Sequence, residues 1–209
     1  MISPNFDPKE AIGTLVAVIV AVTIHEFAHA KTADLAGDDT PRLAGRISLN
    51  PIDHLDILGF LMIIWMSIGG FGLGWGRPVP VNPANFKHQK RDSIKVSVAG
   101  ICANLLVALA LSVPLRFNLI APTGDLSYYW LLQQIVIVNV AIAFFNLIPI
   151  PPLDGSHLLA NLLPVELARA YSRLVGGYGF FILILLLLTG MVGRIIGPPI
   201  NLVLSLLLP

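Results

Sequence analysis

The sequence predicts an all-α polytopic membrane protein, a helical bundle with a short re-entrant β/loop element after its first span. Three observations predict it. Of the 209 residues, 56% are hydrophobic and 12% charged, about half of the roughly 25% charged share of a typical soluble domain. The apolar residues gather into runs long enough to cross a bilayer, near residues 11–36, 94–115 and 127–148. Between the first two runs, glycines and prolines crowd the chain and argue against another straight span. The net charge of +1 comes with no basic tract interleaved with aromatics, so a nucleic-acid partner is not expected. A single cysteine, Cys102, excludes an intrachain disulfide and a thiolate metal pair. Asp7 and Glu10 precede an apolar run too long for a cleavable signal, and no internal repeat is visible. The whole of residues 1–209 reads as one membrane domain.

Taken in order, residues 11–35 give about 37 Å of helix at about 1.5 Å per residue, enough to span with some tilt. Residues 37–93 are the loop and re-entrant region. Within it, 43–50 alternates enough to suggest a short strand. Residues 57–75 are apolar, but Gly69, Gly70, Gly72, Gly74 and Gly76 fall at or beyond the second half. A hairpin there, rather than a full span, puts Arg42, Arg46, Arg77, Lys87, Lys90, Arg91 and Lys95 on one side, which the positive-inside rule makes cytoplasmic. Pro78, Pro80 and Pro83 keep the next stretch extended and suit a sheet edge. The span near 127–148 opens on the interfacial aromatics Tyr128, Tyr129 and Trp130. Pro149, Pro151 and Pro152 then break the helix through 149–157, and a short helix follows from His157. Residues 165–208 form apolar helices interrupted at Arg194 and Gly197-Pro198-Pro199, either two short spans or one broken span.

The chemistry sits in His25-Glu26-Phe27-Ala28-His29, inside the first span. On a helix, residues i and i+4 share a face, so His25 and His29 can address one metal ion. Glu26 is turned about 100° from His25 and about 60° from His29, placed to act on a metal-activated water. Two imidazoles and a carboxylate at membrane depth are costly, so the default reading is function rather than chance.

Catalytic zinc takes three protein ligands and keeps a position open. A third histidine at the metzincin position is absent, since Thr32 and Leu35 stand there. The one glutamate downstream, Glu166, lies in a polar stretch beside Arg169. Asp34 falls on the opposite face of the helix, and Asp38, Asp39, Asp53, Asp56, Asp92 and Asp125 have turn or capping explanations. By elimination the third ligand is Asp154, in a proline-rich break where unwound backbone at membrane depth normally lines a cavity. An Asp-Gly turn is the plainer alternative. His157 is either a neighbour of the metal site or a helix-start residue. Asn139 reads as an interhelical hydrogen bond, and His54 and His88 as loop residues.

The pair of motifs, His25-Glu26-Phe27-Ala28-His29 and Asn146-Leu147-Ile148-Pro149-Ile150-Pro151-Pro152-Leu153-Asp154-Gly155, resembles the site-2 protease family of intramembrane zinc metalloproteases. Gly45-Arg46-Ile47-Ser48-Leu49-Asn50-Pro51, Pro78-Val79-Pro80-Val81-Asn82-Pro83, and Ala99-Gly100 followed by Asn104 add to the likeness, which runs from about residue 20 to 157. Departures are Ile101 and Ser156, where the family has proline and glycine. The resemblance implies a small, stand-alone member. It implies one zinc ion on His25, His29 and Asp154, Glu26 as general base, and Asn146 holding the substrate main chain. It also implies a re-entrant β element that binds substrate by strand addition. The expected partners are a transmembrane protein substrate and the lipid bilayer. The expected location is the plasma membrane, as a multi-pass protein with its active site toward the cytoplasmic side. The rival is a non-proteolytic membrane protein, a metal transporter or inactive scaffold. A transporter should carry ionisable groups at several depths and a repeat, whereas here they cluster at one depth and no repeat is seen.

Overall fold

The structure is a computed structural model that describes residues 7–68, 72, 74–120 and 128–209. Among the described residues, three helices are long and apolar enough to cross a membrane: α1 (Pro8–Ala36), α4 (Gln89–Arg116) and α5 (Tyr128–Asn146). They pack against one another as the centre of an integral membrane protein. Asp7 caps α1 by accepting from the Lys9 N–H, and Gly37, with φ 111°, ends it in the left-handed region that favours glycine. Along α1 the contact side is built of small residues. Ala17, Ala21, Ala30 and Ala33 are fully buried, and a Cβ on Gly13 would stand 2.0 Å from the Trp130 ring. Small side chains let helix backbones approach closely where lipid gives no hydrophobic drive to associate. Ala108 and Leu115 of α4 and Val136 and Val140 of α5 form a second buried cluster.

Between α1 and α4 the chain makes an arm. A short helix α2 (Thr40–Leu43) and a single 3-10 turn (Pro51–Asp53) lead into α3 (Ile57–Ser67). Eleven residues make about 16 Å of helix, too short to cross. The chain then comes back alongside its own entry. Leu55 and Gly76 form an antiparallel bridge, and a Cβ on Gly59 would meet the Trp75 carbonyl at 2.1 Å. The arm therefore re-enters, and Arg77 returns to the end of α3 where the chain went in. Gly69 and Gly70, expected in the turn, lie outside the described residues.

The β character expected in this arm is reduced to that one bridge. Among the described residues there is no strand, neither at 43–50 nor at 77–83. The physical reason is that side chains occupy the backbone groups a ladder would use. Arg46 donates to the carbonyls of Arg77 and Pro78, Glu26 accepts from the Val79 N–H, and Asp38 accepts from the Asn82 N–H. Prolines 78, 80 and 83 supply no N–H at all.

After α5, residues 147–153 carry the chain to α6 (Asp154–Leu162), which opens at Asp154. Next come α7 (Val165–Val175), α8 (Gly179–Leu188) and α9 (Met191–Leu207). The pair α7 and α8 is bent by 64° and would count as a fourth crossing only if taken as one broken span. The helix expected to break at Gly197-Pro198-Pro199 runs through, and the chain instead turns at Gly190, with φ 68°. In apolar surroundings no water offers itself to freed backbone groups, so remaining helical around the two prolines is the cheaper solution. Ile200, Val203, Leu204 and Leu207 seat α9 on the α4–α5 cluster.

Candidate metal centre and its base

His25 and His29 stand one turn apart on α1, both buried at 6% and 8% exposure, with their imidazoles edge to face. His29 Nδ1 lies 2.7 Å from the Val96 carbonyl of α4, which can only accept, so that nitrogen carries the proton. In the neutral ring this leaves the Nε2 lone pair facing inward. His29 Nε2 is 3.0 Å from His25 Nε2, and the two are 3.1 and 3.0 Å from Asp154 Oδ2. Asp154 reaches them from 125 residues away because the 147–153 loop folds tightly under the end of α5. A Cβ on Gly155 would come within 2.3 Å of the Leu147 carbonyl, so that loop closes only over glycine. The Ser156 hydroxyl donates to the Leu153 carbonyl, and the Tyr171 hydroxyl of α7 to that of Pro149.

Two nitrogens and one oxygen thus form a near-equilateral triangle. Lone pairs facing one another at such distances repel unless a proton or a cation lies among them. Three ligands about 2 Å from a tetrahedral zinc stand about 3.3 Å apart, so both spacing and donor set suit such an ion. His25, His29 and Asp154 are the group of His, Cys, Asp and Glu side chains able to share a metal among the described residues. Gly100 of α4 forms the floor beneath them. A Cβ there would stand 2.5 Å from both His25 Cε1 and His29 Nε2, so any larger residue would push on two of the three groups.

Glu26 faces the same cavity, a space of about 940 Å³ whose lining includes His25, His29, Asp154 and Asn146. Its Oε2 accepts from the Val79 N–H at 3.1 Å, so the returning arm holds the carboxylate. The arm is itself pinned. Arg46, only 3% exposed, donates through one guanidinium nitrogen to the Pro78 carbonyl at 2.9 Å and through the other to that of Arg77. Its charge also interacts with the Glu26 carboxylate. The Arg77 N–H donates to the His54 carbonyl at 2.8 Å, and the fully buried His54 ring bonds the Ser48 carbonyl. Asp38, fully buried outside the spans, accepts from the Asn82 N–H at 2.7 Å, the Asn85 amide at 2.8 Å and both Thr40 donors. Burial pushes its carboxyl up, yet these hydrogen bonds outweigh it and leave the pKa below the ordinary value of 3.8.

The structure therefore brings His25, His29 and Asp154 into contact and sets Glu26 and Asn146 at the same cavity. Asn146 donates to its own helix at the Ile142 carbonyl rather than to the cluster. Asn139, read from sequence as an interhelical bond, likewise donates to Ile135 on its own helix. His157 is exposed, fourth in α6. Sequence reasoning gave Arg46 no part beyond its charge and Asp38 none beyond a turn. The available signal for Arg46 was its place in Gly45-Arg46-Ile47-Ser48-Leu49-Asn50-Pro51, a long motif with no chemistry of its own.

Comparison with known proteins agrees with this geometry. The profile of peptidase family M50 matches residues 118–189. The chain is 35% identical over 195 residues to "Putative zinc metalloprotease YwhC" of Bacillus subtilis, covering 90% of this chain and 85% of that protein. It is 30% identical over 197 residues to "Putative zinc metalloprotease Rip2" of Mycolicibacterium smegmatis, covering 90% of this chain and 72% of that one. No solved structure matches. With that extent of identity to relatives along nearly its whole length, the chain belongs to peptidase family M50, the site-2 protease family of metallopeptidases.

Proposed function

We propose that the protein is an intramembrane zinc metalloprotease that hydrolyses peptide bonds in or near the transmembrane segments of membrane-protein substrates. The observation that carries this reading is the triangle of His25 Nε2, His29 Nε2 and Asp154 Oδ2 at 3.0–3.1 Å, with Glu26 opening on the same cavity. His25, His29 and Asp154 would hold one zinc ion. When bound, zinc supplies Lewis acidity, polarising a carbonyl and bringing the pKa of water from 15.7 to about 7.

The rest of the work falls to the chain. Glu26 accepts a proton from the attacking water and returns it to the leaving amine. The Val79 N–H keeps its carboxylate aimed at the cavity rather than free to rotate. Asn146, on the cavity wall, holds the substrate main chain next to the scissile bond once its amide lets go of Ile142. A substrate helix shields its own peptide bonds, so it must unwind to be cut, and small or helix-breaking residues near the cut favour it. Val18, Val22, Ile63, Met66 and Trp75 make much of the cavity apolar, which suits an apolar segment and limits water to what the polar end admits.

Lys90 of α4 and Arg169 and Arg173 of α7 line one crevice near the α6 end, which gathers basic residues from distant parts of the sequence on one side. By the positive-inside rule that side is cytoplasmic, and the site opens toward it from the plasma membrane.

Glu26→Gln is expected to lower cleavage of a co-expressed single-span substrate by about 10²–10⁴-fold, with zinc content unchanged. Cleavage at the wild-type rate would reject the mechanism. Asp154→Ala should instead lower the zinc stoichiometry of the purified protein, and a full complement of zinc would remove Asp154 from the ligand set.

A further inference from the structure

Three buried side-chain atoms in the spanning helices have no hydrogen-bond partner among the described residues: His25 Nδ1, Asn104 Oδ1 and Asn139 Oδ1. Such groups are rare in native proteins, and each asks for an explanation. Their placement supplies one. The side chain of His25 leans toward the N-terminus of α1, over the turn that contains Ala21. Asn104 reaches that turn from α4, where its amide nitrogen lies 3.4 Å from the Ala21 carbonyl. On α4, Asn104 is one turn beyond Gly100, whose ideal Cβ would stand 2.6 Å from His25 Nδ1. Gly13 meets Trp130, and His25 meets Asp154 just beyond the end of α5, so α1 and α5 run the same way. Counting on from that contact puts Asn139, nine residues after Trp130, at the depth of Ala21, eight after Gly13. Both asparagines are fully buried.

We infer that Asn104 and Asn139 hold a buried water that accepts the His25 Nδ1–H. The donor count closes. With Nε2 turned to the metal, Nδ1 is a donor, while the two amide oxygens are acceptors. A water accepts one hydrogen bond and donates two, so a single molecule satisfies all three atoms. His29 has its own outer partner in the Val96 carbonyl, and this water is the counterpart for His25. It fixes the tautomer and the tilt of the ring, and Asn104 and Asn139 are thereby positioning residues for the metal. This rests on the zinc reading of the site and adds to it the device that orients one ligand.

The test is zinc affinity, measured by chelator competition on the full-length protein in detergent, for Asn104→Leu, Asn139→Leu and the double variant. Each single change should weaken zinc about 10–100-fold, and the double should be no weaker than the worse single, because both remove the same water. Ser112→Ala, which deletes another buried polar group of α4 bonded within its own helix, should leave the affinity unchanged. Wild-type affinity in either asparagine variant, or losses that multiply in the double, would overturn the inference. Where a variant fails to fold, a high-resolution structure of the unaltered protein decides: solvent density bonded to all three atoms supports it, and no density there rejects it. A wild-type protein that binds no zinc sinks the metal reading itself, and one that binds zinc but cuts nothing sinks only the protease reading.

Discussion

The three-helix core of α1, α4 and α5 and the arm that links α1 to α4 are held together by opposite means. In the core, alanines and glycines bring backbones close, and side chains such as Val136 and Leu115 fill what remains. In the arm, polar side chains grip backbone groups: Arg46 at residues 77 and 78, Asp38 at 82, Glu26 at 79. The proposed metal ligands belong to the core and the loop that closes under it, whereas the carboxylate of Glu26 is aimed by the arm. Holding a metal and using it are therefore separable, and substitutions in the two regions should fail differently.

The largest expected effect is in the core. Gly100→Ala places a methyl 2.5 Å from His25 Cε1 and His29 Nε2. Neither ring can retreat, since His29 is tied to Val96 and both pack inside the bundle. Zinc affinity should fall by about 100-fold or more, the upper range for disturbing the surroundings of ligands, and activity with it. An alanine variant with wild-type zinc content would mean that the helices yield more easily than close packing allows. The arm should give the contrasting result. Arg46→Gln removes the clamp on the Arg77 and Pro78 carbonyls and lets the Val79 N–H drift from Glu26. A misplacement of about 1 Å near a catalytic group costs about 10²-fold in rate, so turnover should drop by that order while zinc content stays whole. Equal loss of zinc and turnover would erase the distinction between the two regions.

Much of this was legible in the sequence, and the rest was not, for physical reasons. His25 and His29 sit four apart on one helix, a local spacing that needs no tertiary knowledge. Asp154 came from elimination, because few residues offer metal-binding chemistry at membrane depth, and the fold sets its oxygen beside both rings. The re-entrant course was readable from glycines and charge. Its missing strands were not, because whether residues 77–82 pair as a ladder depends on Arg46 and Asp38 arriving from 30 to 45 residues away. The continuity of α9 through Pro198 and Pro199 was equally hidden, since local propensity predicts a break and the apolar surroundings overrule it. Gly100 was visible only as part of a motif. Its reason, the close approach of two imidazoles, is a distance between helices that no single-helix periodicity encodes.

The smallest effect sharpens the same comparison by loosening the arm without touching the core. The Asp38 carboxyl has its pKa depressed in the folded protein, where the donors from Thr40, Asn82 and Asn85 overcome the opposing effect of burial. A depressed carboxylate binds its proton more readily when unfolded. Its stabilising contribution is therefore complete above the ordinary value of 3.8 and is lost as the pH falls through the lower folded value. Asp38→Asn keeps an acceptor but discards the charge, removing about 1 kcal/mol of hydrogen-bond strength, or about 2–4 °C in Tm for a chain of this length. Plotted against pH, the Tm of the wild type should exceed that of Asp38→Asn near neutrality, and the gap should close below pH 3.8. A gap that persists into acid would show that the carboxylate charge is not what secures the arm, leaving the Arg46 clamp to hold it.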